Sequence, residues 1–412
     1  MPRGRGARCR RRMHERRGND RTQGRRGRKD PPQDGGMRMD EMFAFCRKMN
    51  RSFRPKKQDP SKPVACWSED DLIRDAGSGK WAACKALVMI FRTRGCSWLL
   101  KSGCTMCGYF NDSLMAGQEP SDLMSQFEAL LPRYKGEAIV KIFNSGSFLD
   151  DTEVAESVQD AVVGKLASLG EVRKISLETR PEYVTKERLA RLLGVIALGG
   201  NDVNLELGIG LESASDEVRG RCVNKGFAYA DYERAVSVAQ SLGVGIKSYV
   251  LLKPPFLTEK EAMEDAAETI IKASETADVV SLNPVNVQSN TLADYLWKRK
   301  EYRPAWLWSV VEALIRGAEH IDRNGLDVRL QCDPVGGGSI RGAHNCGTCD
   351  GALLDAIKKF TLTRDAAHLK RGIATANGCG CGCREKWLDT LECEGALFGN
   401  YDVTGGFYSK SR

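Results

Sequence analysis

Three cysteines stand in the stretch RTRGCSWLLKSGCTMCGYFND, at Cys96, Cys104 and Cys107, with seven and then two residues between them. Neither a helical nor a strand period puts all three on one face, so a loop has to gather them. A Cys-x-x-Cys pair alone suits zinc, a redox disulfide or an iron–sulfur cluster. Structural zinc asks for four protein ligands, and this loop offers no fourth Cys or His; the neighbouring Cys84 and Cys222 read as small buried hydrophobes. Three thiolates without a fourth suggest a cubane whose remaining iron is open to an outside ligand, the arrangement that does chemistry instead of only holding a fold.

A second group lies near the C-terminus: Cys346 and Cys349 in HNCGTCD, then Cys379, Cys381 and Cys383 in CGCGC, with Cys332, His344 and Cys393 close in sequence. A Cys-x-x-Cys followed by a later cysteine cluster is a metal signature, and it offers one thiol more than a tetrahedral ion needs. Structural zinc and an auxiliary iron–sulfur cluster both fit. The chain has 15 cysteines, most of them in these two clusters, and no signal peptide, which favours metal ligation in a reducing, cytoplasmic setting over a disulfide framework.

The net charge of +8 over 412 residues resembles a nucleic-acid footprint until it is divided. Residues 1–30 carry twelve Arg and one Lys against Glu15, Asp20 and Asp30, so the rest of the chain is close to neutral. Residues 1–40 read either as a disordered Arg/Gly-rich tail able to touch phosphates or as sequence upstream of a later start at Met37, Met39 or Met42. No apolar run approaches the ~18 residues of a membrane span.

The cysteine loop needs a scaffold. From residue 85 onward, short β-branched runs alternate with amphipathic helical stretches: 85–92, 137–144, 171–179, 203–212, 243–252 and 277–285, with DVRLQC at 327–332 after a long helix. Such repetition implies parallel strands with right-handed crossovers, closed either as a doubly wound sheet or as a barrel. The first strand–helix turn carries cysteines where a dinucleotide fold would carry glycines. Both closures place reactive groups beyond the C-terminal strand ends, where the cysteine loop falls.

With this loop and these strand ends, the chain resembles the radical S-adenosylmethionine (SAM) enzymes, in the branch with an elongator-type core. The resemblance rests on the cysteine loop, NSGSFLD, SLETRPEYV, ELGIGLES and VLLKPP. It implies an α/β fold, a partial (β/α)6 barrel over 62–325 with a cysteine-rich lobe over 326–412. It also implies a 4Fe-4S cluster on Cys96, Cys104 and Cys107, with SAM on the fourth iron and Tyr109 flanking the cluster. Asn144, Ser145 and Gly146 stand where the family's turn meets the methionine amino group. Glu178 and Glu212 then face the ribose hydroxyls and Arg180 the SAM carboxylate; the competing reading pairs each carboxylate internally with Arg180 or Lys247.

The downstream half resembles the archaeosine-forming radical SAM proteins of archaea, through Trp306 and Trp308, the HNCGTCD box and the cysteines before Trp387. That resemblance covers 62–392. It implies cleavage of a carbon–nitrogen bond in a lysine adduct of 7-cyano-7-deazaguanine at position 15 of the tRNA D-loop, through a 5′-deoxyadenosyl radical. The implied partners are tRNA, an electron donor and the subunit that attaches lysine. The two tryptophans either stack a base or pack on the inner face of an amphipathic helix. The alternatives are an elongator-like enzyme acting on another base and a non-enzymatic, zinc-stabilised RNA-binding protein.

Overall fold

The computed structural model describes residues 44–49, 58–75 and 77–398; the basic segment 1–40 lies outside the described residues. One sheet forms the centre. It comprises β1 (Ala65–Arg74), β2 (Trp81–Ile90), β3 (Ile139–Phe143), β4 (Lys174–Thr179), β5 (Asn204–Glu212), β6 (Gly245–Leu252), β7 (Val279–Pro284) and β8 (Arg329–Cys332), adjacent in that order. β1 is antiparallel to β2, and every later neighbour is parallel.

The six expected strand-and-helix units are β2 to β7, each followed by a long helix: Pro120–Leu130, Glu156–Ala167, Lys186–Leu198, Tyr229–Gln240, Glu259–Ser274 and Leu307–Arg323. Helix starts follow the local chemistry, as where Thr258 accepts from the Glu261 amide while Glu261 bonds back. The sheet extends this unit by β8 on one side and β1 on the other. β1 was not anticipated because its stretch ACWSEDDLIR carries three consecutive acids, which read as loop. Two of those acids instead turn to buried cations.

Where sheet and helices meet, Met89, Ile142, Leu177, Leu207, Ile246 and Val280 are fully buried. Each such side chain is worth about 1.5–3 kcal/mol relative to exposure. The concave face is polar. Lys141, Ser176 and Glu206 lie side by side in register, and Lys247, Ser281, Gln331 and Arg329 continue the layer. Lys174 reaches Glu206 at 2.8 Å. Burial works against the Glu206 charge, yet Lys174 and Lys247 hold its pKa down to about 2.

No hydrogen-bonded ladder joins β1 to β8, so the curled sheet has two edges. They meet through side chains. Asp71 on β1 takes Lys141 from β3 at 2.5 Å and Arg329 from β8, with all three groups nearly buried. Glu69 adds a second contact to Lys141 at 2.7 Å. Among the described residues no helix is long and apolar enough to cross a membrane.

Asp71 is ionised against its burial by Lys141 and Arg329, which hold its pKa far below the ordinary carboxylate range. Its stabilisation is therefore full above about pH 4 and is lost as pH falls through the depressed value. Replacing Asp71 with Asn should cost roughly 3–5 kcal/mol at neutral pH, because the buried Arg329 loses its carboxylate and Lys141 one of its two. Denaturant unfolding at several pH values reads this directly: the gap between parent and variant should shrink on acidification, and a gap independent of pH would contradict the assignment.

Candidate active site and metal centre

All the strand ends singled out in the sequence open on one side of the sheet. The cysteine loop follows β2, Asn144–Gly146 follow β3, Glu178 and Arg180 stand at and just after the end of β4, and Glu212 closes β5. The seven residues between Cys96 and Cys104 are taken up by a short helix, Ser97–Lys101, entered past Gly95 (φ +106°) and left at Gly103 (φ +90°). Its Leu99 is buried, and Ser97 Oγ donates to Asp150 at 2.5 Å.

The loop is latched to the turn after β5, a π-helical segment at Arg219–Val223 that ends on Asn224 in the left-handed region (φ +57°). Asn224 Nδ2 donates to the Gly103 carbonyl at 2.6 Å and to Ser102 Oγ at 2.8 Å. Thr105 returns two bonds, its amide to Val223 O at 3.0 Å and its hydroxyl to Cys222 O at 2.6 Å. Trp98 donates to Asn224 O at 2.8 Å and lies flat on Gly226, where a Cβ would stand 2.4 Å from the ring.

These contacts bring the three cysteines within electrostatic reach of one another. Burial pushes the Cys96 thiol up to about 11, with Glu153 and Cys104 adding to it, and the Cys107 thiol up to about 12, with Cys104 and Cys96 adding. Burial also raises Cys104, opposed by Lys225 and Arg180. A fourth thiol, Cys46 of the helical segment 44–49, comes close to Cys104, and it packs among Leu251, Val285 and Tyr302 as a neutral group pushed up to about 12 by burial. Sequence reasoning had no means of bringing residue 46 here, because the contact is long-range.

Around the cysteines the family's SAM positions fit a ligand unevenly. Asn144 is 7% exposed, and neither atom of its amide makes a well-formed hydrogen bond; it lies only near the Glu153 carboxylate, whose proton affinity it lowers. Ser145 shares its hydroxyl with Ser113 at 2.7 Å and with the Tyr109 carbonyl at 3.3 Å. At Gly146 a Cβ would stand 2.1 Å from Glu153 Oε2 and 2.7 Å from Cys96 Cα, so only glycine lets this turn pass the first cysteine. Glu153, unnoticed in the sequence, ties the loops together by accepting from Thr93 Oγ1 at 2.5 Å and Ser147 N at 2.8 Å.

The carboxylates have partners other than those anticipated. Glu212, itself left-handed at φ +66°, takes Lys225 at 2.6 Å, not Arg180 or Lys247. Arg180 pairs with Glu182 at 2.6 Å, donates to Lys225 O at 3.0 Å and stacks between Trp98 and Phe227, 5.4 Å from each ring. Glu178 hydrogen-bonds Tyr249; burial raises its pKa and that bond lowers it. Tyr109 keeps 59% of its surface, yet burial raises its pKa and Gln288 bonds it, as expected of a side chain lining a hollow. An orphaned amide, a glycine cradle and three thiols near two cations fit a 4Fe-4S cluster with SAM.

The second cysteine group converges more tightly. The sulfurs of Cys346, Cys349, Cys381 and Cys383 all lie within 4.8 Å of one another, with Cys346–Cys349 at 3.7 Å and Cys349–Cys383 at 3.1 Å. Four sulfurs about 2.3 Å from one ion would stand about 3.8 Å apart, so this set suits a single tetrahedral ion. Cys379 lies 3.0 Å from Cys381 but outside the set of four. Cys332 and His344 are also outside it.

The HNCGTCD box folds about Asp350, whose carboxylate accepts from the amides of Asn345 and Cys346 at 3.1 Å and Gly347 at 3.0 Å. Asn345 Nδ2 and Trp308 Nε1 donate to Cys349 and Cys383 sulfurs at 3.3 and 3.2 Å, an outer layer that favours thiolates. Trp308 is 3% exposed and stands 6.4 Å from Trp387, which settles it as packing. Trp306 is half-buried under Arg303 at 4.0 Å.

Elemental analysis should find one non-cluster metal ion per chain. Cys349→Ala should lose it while iron tied to the first loop is retained, and undiminished metal in that variant would contradict the site.

No family profile matches the chain. A Methanosarcina acetivorans protein named archaeosine synthase subunit beta is 38% identical over 354 residues, 85% of this chain and 96% of that protein. A Thermococcus kodakarensis protein of the same name is 35% identical over 330 residues, 79% and 95% of the two chains. Among solved structures, the Methanocaldococcus infernus Elp3 aligns with 67% of this chain and 63% of that one, at 14% identity and a TM-score of 0.43. The chain therefore belongs to the family of archaeosine synthase beta subunits.

Proposed function

We propose that the protein completes archaeosine in tRNA by cleaving a carbon–nitrogen bond of the lysine adduct of 7-cyano-7-deazaguanine at position 15 of the D-loop. The observation that carries the reading is the three-cysteine loop itself, latched at the C-terminal strand ends and packed against the Gly146 turn so closely that only glycine passes the first cysteine. The relatives' name supports the substrate, and its term subunit beta supports a partner archaeosine synthase subunit that attaches the lysine. An external electron donor completes the set.

In this reading Cys96, Cys104 and Cys107 hold the cluster. A 4Fe-4S cluster bound there with SAM supplies a 5′-deoxyadenosyl radical, which suits a methylene with no acidic hydrogen, a poor target for a general base near pH 7. The chain's share is placement. Asn144 and the Gly146 turn receive the methionine end, and Arg180, held in plane between Trp98 and Phe227, faces the carboxylate. Lys225 holds Glu212 at 2.6 Å and Tyr249 bonds Glu178, so both carboxylates are positioned to present oxygens to ribose hydroxyls. Burial around the thiols excludes water from the reacting carbon. The Cys346, Cys349, Cys381 and Cys383 site takes zinc in this reading, because the clustered sulfurs leave less room than a second iron–sulfur cluster needs.

Anaerobically reconstituted protein given SAM, dithionite and tRNA bearing the lysine adduct should yield archaeosine and 5′-deoxyadenosine together. Cys104→Ala should yield neither while keeping its circular dichroism. Asn144→Ala should raise the SAM concentration needed by about tenfold, as loss of one buried polar contact implies. Persisting 5′-deoxyadenosine from Cys104→Ala would sink the cluster assignment.

A further inference from the structure

A cavity of about 740 Å³ opens beside the cysteine loop and belongs to none of the sites above. One wall starts at Lys253, the residue directly after β6, which places the cavity on the same side of the sheet as the cluster loop. Phe256, Trp297 and Tyr302 line it. These three also pack in the apolar group that holds Cys104 and Met106, so the cavity and the cysteine loop share a wall. The opposite wall comes from the cysteine-rich lobe, through His344 and Glu394.

The charge of the lining is unbalanced. Lys253 is neutralised by Glu259, and Glu301 by Arg299. Asp294 serves Lys298 and Arg341 together, each at 2.7 Å. Lys300 is exposed and enters no ion pair among the described residues. Arg303 gives donors to two carbonyls, Pro304 O at 2.8 Å and His344 O at 2.7 Å, and forms no ion pair among the described residues, although Glu259, Asp350 and the lining Glu394 act on its charge from farther off. Guanidinium groups lie over indoles at both sides, Arg303 on Trp306 at 4.0 Å and Arg341 on Trp297 at 4.5 Å.

The backbone is held out of its ordinary range here as well. Lys253, Phe256 and Lys300 have φ of +61°, +77° and +62°, so of the eight non-glycine residues with positive φ among the described residues, three line this one cavity. Such conformations cost of order 1–3 kcal/mol each and gather at sites that bind.

Surplus cations, aromatic faces and a volume in the range of ligand pockets match one chemistry: a planar base with its phosphate. We propose that this cavity is a second RNA site, which takes a nucleotide of the tRNA other than the one that reacts. The inference rests on the reading of tRNA as substrate. Lys300 meets the phosphate, and the aromatic wall meets the base. The single-ion cysteine site then has a purpose beyond its own lobe, since His344 and Asn345, next to Cys346, fix one wall of the pocket.

Binding of a fluorescently labelled tRNA transcript, measured against salt, tests this. Lys300→Glu should weaken binding about tenfold at fixed salt and lower the slope of log affinity against log salt by about 1, the signature of one lost phosphate contact. The same charge change at the exposed Lys165, on the Glu156–Ala167 helix, should leave the slope unaltered. The cavity's role also requires that bound tRNA protect Lys300 from acetylation in the parent, read by mass spectrometry. Unchanged affinity and slope in Lys300→Glu, with a parent that binds tRNA, overturns this site alone. A parent that does not bind tRNA brings down the substrate reading as well as this site.

Discussion

Asp71 holds an open sheet in a closed shape. Eight strands in sequential order would splay as a twisted sheet, with β1 and β8 as unpaired edges. The carboxylate of Asp71 instead joins Arg329 on β8 to Lys141 on β3 across the concave face. Because the curl brings the C-terminal ends of β2 to β7 around one hollow, the positions of the cysteines, Asn144, Arg180 and Glu212 all depend on it. The charges in this layer are expensive to bury, and they are tolerated because each anion is paired. Lys247 is the exception: burial and the nearby Lys141 pull its pKa down to about 8, while Glu206 and Asp71 pull it back up.

A second constraint acts on the cysteine loop. A loop with seven residues between its first two ligands has freedom that a shorter spacing would lack. The chain removes it with the short helix Ser97–Lys101 and with the latch to Cys222, Val223 and Asn224. The latch is also why residues far apart in sequence share one site: Lys225, the residue after Asn224, is the one that meets Glu212 and offsets the Cys104 thiol. The cysteine loop, Glu212 and the π-helical turn are thus one mechanical unit.

Much of this was legible in the sequence where the signal was local. β-branched runs gave β2 to β8 within a few residues, and cysteine spacing separated a three-thiol loop from a metal-binding group. What the sequence could not convey was pairing across distance. β1 hid behind Glu69, Asp70 and Asp71, since acids in a strand make sense only once Lys141 and Arg329 face them. The internal pairing weighed against a ligand role for Glu212 offered Arg180 or Lys247; the cation it meets, Lys225, lies in a turn with no motif. The surplus thiol among five needed coordinates, which set Cys379 apart from the other four. Trp308 followed the ordinary rule that an aromatic on the inner face of an amphipathic helix is core.

The polar hollow, the loop of three thiols and the paired carboxylates are what the proposed archaeosine-forming reaction would draw on. The most direct measurement is nucleoside mass spectrometry on tRNA from a strain lacking this gene. Loss of archaeosine with accumulation of the lysine adduct at the same position is the result predicted. Archaeosine at parental levels, with no adduct, would contradict it.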